Sequence, residues 1–301
     1  MNRVEPTPAT VSGAASSPRA ASRLAVVDGG LLRLADLSLA EFLRHLARWG
    51  GAIEEADGLL LFAGAHRQPN PYRNGVMRLD AELSAEEVVR RADRFFAARP
   101  SSYAVWTREH ADADLDALVA ATAVRDLERL PELVLDELPP DLGAPDGVEL
   151  RRASDPATRS DYVRIVADGW GFGSMPLELA TKVFFDPDSV DAPNVVAFVA
   201  YYEDEPLSGA MALVSHGVAL GCQAATIRRP KPGQRLPRRD PGRRGLAESC
   251  LYASLQVSFG ELGARRSLCQ TSKAGEPVWR KFGYRPLTSY GRYLMTPRPA
   301  A

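Results

Sequence analysis

The chain is poor in the residues that build metal centres and disulfide frameworks, with three cysteines and four histidines in 301 residues. Cys222, Cys250 and Cys269 sit in apolar segments without metal-type spacing, so buried free thiols in a reducing compartment are expected. His45, His66, His110 and His216 are scattered, and none forms a pair that would hold a metal. No apolar run approaches the roughly 20 residues that span a bilayer, and the N-terminal stretch lacks the apolar centre of a signal peptide. The formal net charge is -1, so no global field selects nucleic acid or a membrane surface. A cytoplasmic protein without metal or membrane partner is the expectation.

A chain with 45% apolar and 25% charged residues over this length suits two globular domains. Residues 1–24 are mainly Ala, Ser, Pro and Thr with a few arginines, which predicts a disordered tail. Ser38 with Glu41 reads as a capping box that opens a helix carrying Leu39, Phe42, Leu43, Leu46 and Trp49 on one face. Strands at 52–55 and 59–63 flank Asp57-Gly58, a hairpin signal, and a third strand lies near 75–79. Ser84 with Glu87 opens a second helix, followed by a strand at 103–107, a helix at 113–121 and a strand at 132–135. Residues 137–147 are rich in Pro, Gly and Asp and read as a linker.

The second half repeats this order at greater length. It reads as a strand at 148–152, a helix capped by Asp155 and a helix opened by Pro176. Strands at 194–202, 207–214 and 218–227 follow, then a helix at 245–260, a strand at 266–271, a short helix at 276–282 and a closing strand at 287–295. Ser84 and Gly245 set the offset between the copies at about 160 residues, a tandem duplication. The expected domains are residues 25–136 and 148–297.

The most informative stretch runs from Ala224-Ala225-Thr226 to Pro241-Gly242-Arg243-Arg244-Gly245-Leu246-Ala247. A strand there feeds a glycine turn that opens a helix. Helix starts leave backbone N–H groups unpaired and carry partial positive charge, and glycine lets a phosphate approach. Further on comes Gln270-Thr271-Ser272-Lys273-Ala274-Gly275-Glu276-Pro277-Val278-Trp279-Arg280-Lys281-Phe282-Gly283-Tyr284. With the element order, these stretches resemble the GNAT superfamily of N-acetyltransferases over about residues 147–296.

That resemblance implies an α/β, mixed-sheet GNAT fold present twice, and an acetyl-CoA-dependent N-acetyltransferase acting on an amine, small molecules being the expected class. Acetyl-CoA would be the co-substrate and the chain a monomer or homodimer. By the same likeness Ala224, Ala225 and Thr226 would bond pantetheine, Arg243, Arg244, Gly245, Leu246 and Ala247 would hold pyrophosphate, and Ser272 would lie along the thioester. Trp170, Phe172 and Met175 would wall the acceptor site. The position where the family often has a tyrosine acid holds Trp279, whose indole does not transfer protons at useful pH. Tyr284 and Ser272 stand as catalytic candidates, and no base is evident.

Two departures bear on this reading. The segment between Ile227 and Gly245 is longer than the pattern needs and dense in Arg and Pro; it reads as a grip on the 3′-phosphate of CoA, as an insertion, or as paired frameshifts. The first half carries Asp80-Ala81-Glu82-Leu83-Ser84-Ala85-Glu86-Glu87 where the phosphate turn belongs. Carboxylates there stabilise the helix start and repel a pyrophosphate, so the first copy is expected to bind no CoA. A CoA-binding sensor or scaffold without turnover is the alternative function.

Overall fold

The computed structural model describes residues 28–49, 51–65, 70–99, 101–141, 143–169, 179, 187–227, 245–273 and 275–298. The first half runs α1 (Gly29–Arg48), β1 (Ala52–Ala56), β2 (Leu59–Ala63), β3 (Asn74–Arg78), α2 (Ala85–Ala97), β4 (Tyr103–Arg108), α3 (Ala113–Thr122), β5 (Arg125–Asp126) and β6 (Leu130–Leu135). The second runs β7 (Val148–Arg152), α4 (Pro156–Gly169), β8 (Val195–Tyr202), β9 (Glu205–Ser215), β10 (Val218–Thr226), α5 (Leu246–Gly260), β11 (Arg266–Gln270), α6 (Glu276–Phe282) and β12 (Arg285–Met295), with a 3-10 turn at Pro187–Asp191 before β8. Apart from residue 179, the helix expected after Pro176 lies outside the described residues, as does the tail.

One sheet passes through both halves in the order β1-β2-β3-β4-β12-β6-β11-β10-β9-β8-β7, with β5 attached to β12. If each half kept its own closing strand, β6 would lie beside β4 and β12 beside β11. The two are transposed. β6 pairs antiparallel with β11, Ser267 opposite Leu135 through Gln270 opposite Glu132. β12 pairs antiparallel with β4, Tyr290 opposite Arg108 through Met295 opposite Tyr103. β6 and β12 also pair with each other.

α1 begins nine residues before Ser38. Asp28 caps it, its carboxylate accepting from the Gly30 N–H at 2.9 Å, while Ser38 is buried inside the helix. The extra turns have a packing reason. Leu31, Ala35, Phe42 and Leu46 join Val163, Val166, Leu213 and Leu220 in a core belonging to the second half. Leu39, Ala40 and Leu43 turn instead to Leu60, Phe62 and Trp106 of the first. The helix therefore seals both halves with two faces, and burial at that scale outweighs a local capping signal.

α2 behaves as its sequence implies. Ser84 caps it by accepting from the Glu87 N–H at 3.3 Å, and Val88, Val89, Ala92, Phe95 and Phe96 are buried. Asp155 likewise accepts from the N–H groups of Ala157 and Thr158 at the start of α4.

The transposed strands predict mutual dependence. A fragment of residues 148–297 leaves the ladder edges of β11 and β12 uncovered where β6 lies. It should show no cooperative melt by circular dichroism alone and regain one when co-expressed with residues 25–136. A cooperative melt of the isolated fragment would show that β6 is dispensable.

Candidate functional site

β10 and β11 run parallel from Val218 opposite Arg266 to Gly221 opposite Cys269, and the pairing stops there. β10 continues to Thr226 against β9, with a register shift between Cys222 and Ala225. Gln223 at the shift has φ +50, a conformation few non-glycine residues adopt. Tyr162 of α4 holds it, its buried hydroxyl donating to the Gln223 side-chain Oε1 at 3.2 Å and the backbone carbonyl at 3.4 Å. Ser208 adds a bond from its hydroxyl to the Ala225 carbonyl at 2.8 Å. A bulge bends its strand and breaks the ladder on its far side. Here it turns β10 away from β11.

The gap opens a cleft of about 700 Å³, within the usual range for small-molecule sites. Its walls include Leu220, Gly221, Cys222, Gln223 and Ala224 from β10 and Cys269 and Gln270 from β11. Thr271, Ser272, Gly275 and Trp279 extend it toward α6. The first half lines it too, through Phe42 of α1, Tyr72, Glu128 and Leu130. α5 passes close to Gly221: a Cβ there would stand 2.9 Å from Leu251 Cδ1 and would push that side-chain end aside.

α5 begins beside the far end of β10. Gly245 has φ +95 and no side chain to cap the helix, while its N–H donates to the Glu248 carboxylate at 3.0 Å. Glu248 is thus explained by the helix start. Arg243 and Arg244 lie outside the described residues, as do Trp170, Phe172 and Met175. Ala224 and Ser272 line the cleft. Ala225 is buried against the α1–α4 core, and the Thr226 hydroxyl pairs with that of Ser208 at 2.9 Å.

Tyr284 is not brought to the cleft. Its ring is buried between Phe282 and Trp279, and its hydroxyl pairs with that of Ser267 at 2.6 Å. Burial pushes its pKa well above that of a free tyrosine, so the catalytic role expected of it has no geometric basis. The tyrosine that does line the cleft is Tyr72, just before β3. Burial raises its pKa to about 12, with the Arg292 charge opposing. Arg292 lies over the Tyr72 and Trp106 rings and donates to the Glu128 carbonyl.

At the corresponding end of the first half, β3 and β4 stop pairing at Met77 opposite Trp106, and an ion cluster fills the place. Asp112, fully buried, accepts from Arg78 Nε at 2.9 Å and from the Arg108 backbone N–H and Nε at 2.9 Å each. Asp36 reaches Arg108 at 3.2 Å and accepts from the Tyr290 hydroxyl at 3.0 Å. Burial works against the Arg108 charge, but Asp112 and Asp36 more than offset it and hold its pKa above the ordinary value. The acidic start of α2 faces its own cations, since Arg90 and Arg91 both bond Glu87 and hold its carboxyl down to about 2.

A second, larger cavity of about 900 Å³ opens at the opposite ends of these strands, beside Arg265, Arg266 and Arg285. Asp136 pairs with Arg266 at 3.0 Å and Arg285 at 2.8 Å. Asp136 is thus shared by two of the three arginines, and neither the bulge nor the helix start is among the lining residues. Among the described residues, no group of acidic, histidine or cysteine side chains is arranged to hold a metal, and no helix is long and apolar enough to cross a membrane.

The bulged strand, the open gap beside it and the repeated order define a GNAT-like fold in tandem, a mixed α/β architecture. Solved structures with that architecture match. A GCN5-related N-acetyltransferase from Kribbella flavida superposes with TM-score 0.65 at 16% identity, over 90% of this chain and 98% of that one. A tandem GNAT protein from the clavulanic acid biosynthesis pathway does so with TM-score 0.57 at 11% identity, over 89% and 98%. For a GCN5-related N-acetyltransferase from Sphaerobacter thermophilus the values are 0.52, 15%, 90% and 90%. At such identities the likeness speaks for the fold. No protein-family model matches the chain, and no curated protein matches it by sequence.

The ion cluster yields a stability prediction. Asp112→Ala leaves two buried guanidiniums short of their shared carboxylate, which should cost about 3–5 kcal/mol. Urea unfolding measures it, and a loss below about 1 kcal/mol would show that the arginines find other partners or reach water.

Proposed function

We propose that the chain is an acetyl-CoA-dependent N-acetyltransferase whose working site is the β10–β11 cleft. The observation that carries this reading is the bulge at Gln223. Strand pairing ends at Gly221 and Cys269, and the gap beyond is lined by both apolar and polar side chains, among them Leu220, Gln223, Gln270 and Ser272. A pantetheine arm fits such a gap, with backbone groups of Ala224 to Thr226 and Ser272 along it. The pyrophosphate end then meets the N–H groups of Leu246 and Ala247, aided by Arg243 and Arg244, where the helix dipole favours anions. Residues 148–297 form the acyl-transfer domain and residues 25–136 a copy without a CoA site, closed by the ion cluster around Asp112.

The acceptor is an amine. It enters on the side lined by Phe42, Tyr72 and Leu130, with Trp170, Phe172 and Met175 completing the wall, and attacks the thioester directly. The protein contributes position and proton control. Tyr72, protonated at neutral pH, replaces Tyr284 as the proton donor to the leaving sulfur. The protein acts without a metal, in the cytoplasm, as a monomer or homodimer.

A second reading, a CoA-binding sensor or scaffold without turnover, is favoured by Trp279 in the cleft and by Tyr284 locked to Ser267. Thiol release from acetyl-CoA over a panel of primary amines separates the two. Turnover is expected, and Tyr72→Phe should lower kcat at least about tenfold while leaving the acetyl-CoA Kd unchanged. Binding without thiol release would favour the sensor, and no acetyl-CoA binding would contradict both.

A further inference from the structure

The cleft holds a buried cation with no anion to match it. Arg292 lines the wall and is 9% exposed. The transposed strands put it there. β12 lies between β4 and β6, with Arg292 opposite Trp106, so a residue of the second half stands in the first-half wall. The guanidinium lies over two rings, 5.6 Å from the centre of Tyr72 and 5.7 Å from that of Trp106. Its Nε and Nη2 donate to the Glu128 backbone carbonyl at 3.1 and 2.8 Å. A guanidinium has further N–H donors, and those on Nη1 have no acceptor among the described residues.

Elsewhere the chain pairs its buried guanidiniums with carboxylates. Arg78 and Arg108 share Asp112 at 2.9 and 2.8 Å. No carboxylate among the described residues forms an ion pair with Arg292. Glu128 turns its side chain to the Lys273 N–H, which donates to it at 3.2 Å. Glu132 also acts on Tyr72, but burial pushes its pKa well above the ordinary glutamate value. Two ring faces and a neutral carbonyl answer part of the Arg292 charge. A cation withdrawn from water without a counter-charge is costly, and in the wall of an open cleft it suits an anionic group on a ligand.

We propose that Arg292 binds a carboxylate on the acceptor, and that the acceptor is an α-amino acid with an apolar side chain. The inference rests on the acyl-transfer reading and names the substrate class of that same site. Arginine offers paired N–H groups that match a carboxylate, and it keeps its charge throughout. The α spacing follows from Tyr72. Its ring carries Arg292 and its hydroxyl serves the leaving sulfur, so a carboxylate on Arg292 requires a reacting nitrogen close by. A single carbon between the two groups provides that. Phe42 and Leu130 line the same side of the cleft and give an apolar side chain its surface.

An acceptor arriving as ammonium first gives one proton to solvent. The nitrogen pair then forms the bond to the acetyl carbonyl carbon, and the C–S pair leaves with sulfur. Sulfur takes a proton from Tyr72, which recovers one from the new amide nitrogen. The carboxylate is unchanged throughout, and the products are an N-acetyl amino acid and the CoA thiol.

The test compares amino acids with the amines left when the carboxylate is removed: phenylalanine with phenethylamine, tyrosine with tyramine, leucine with isopentylamine. Thiol release is measured with full-length protein and acetyl-CoA. In the best pair, wild type should favour the amino acid by at least about 30-fold in kcat/KM. Arg292→Gln should shrink that preference below about threefold by lowering kcat/KM for the amino acid, and bind acetyl-CoA within about twofold of wild type by calorimetry. Arg292→Lys keeps a charge, should recover part of the preference, and serves where the Gln variant does not fold. A purely structural role for Arg292 would slow both members of a pair alike. Wild type that acetylates the amines as well as the amino acids overturns the proposal. So does wild type that binds acetyl-CoA and acetylates none of these compounds, or a folded Arg292→Gln protein that keeps the preference. Failure to bind acetyl-CoA instead overturns the acyl-transfer reading itself.

Discussion

Pairing of β6 with β11 and β12, and of β12 with β4, is the constraint on which the rest of the structure depends. Each half hands its closing strand to the other's neighbours, so the ladder hydrogen bonds that complete one half come from residues more than a hundred positions away. α1 reinforces the arrangement from one face of the sheet, burying Leu31 and Ala35 against the second half and Leu39 and Leu43 against the first. Such contacts close long loops at an entropic cost. Once formed, they make separation of the halves equivalent to unfolding both.

The same constraint shapes the cleft. β11 has β6 on one edge and, beyond Cys269, open space on the other where the bulged β10 turns away. The floor on the first-half side is therefore fixed by Phe42, Tyr72 and Leu130, residues that the CoA-binding motifs would never single out. In the first half the equivalent strand ends are closed by Asp112 between Arg78 and Arg108. One duplication has produced one gap held open by a backbone bulge and one place filled by salt bridges. On this account the filled copy acts as a wall and a donor of side chains for the open one.

Local elements were largely legible in the sequence because their signals are local. α6, β2 and β7 have the bounds expected of them, β2 beside the Asp57-Gly58 turn, and Ser84 and Asp155 cap the helices they were expected to cap. The start of α1 was misread because Ser38 and Glu41 imitate a capping box inside a helix whose true cap, Asp28, precedes two glycines. Strand transposition was invisible, since the inward-outward alternation of β6 fits β4 as well as β11, and pairing partners are a long-range choice. Tyr284 was misplaced because its position along the chain says nothing of Ser267 across the sheet.

The asymmetry between the open and the filled copy is the central claim, and the calorimetric stoichiometry of acetyl-CoA binding to the full chain tests it most directly. The account predicts about one acetyl-CoA per chain. Two equivalents would show that the Asp112 cluster yields to a ligand, and none would show that the β10–β11 gap is not a CoA site; either would contradict it.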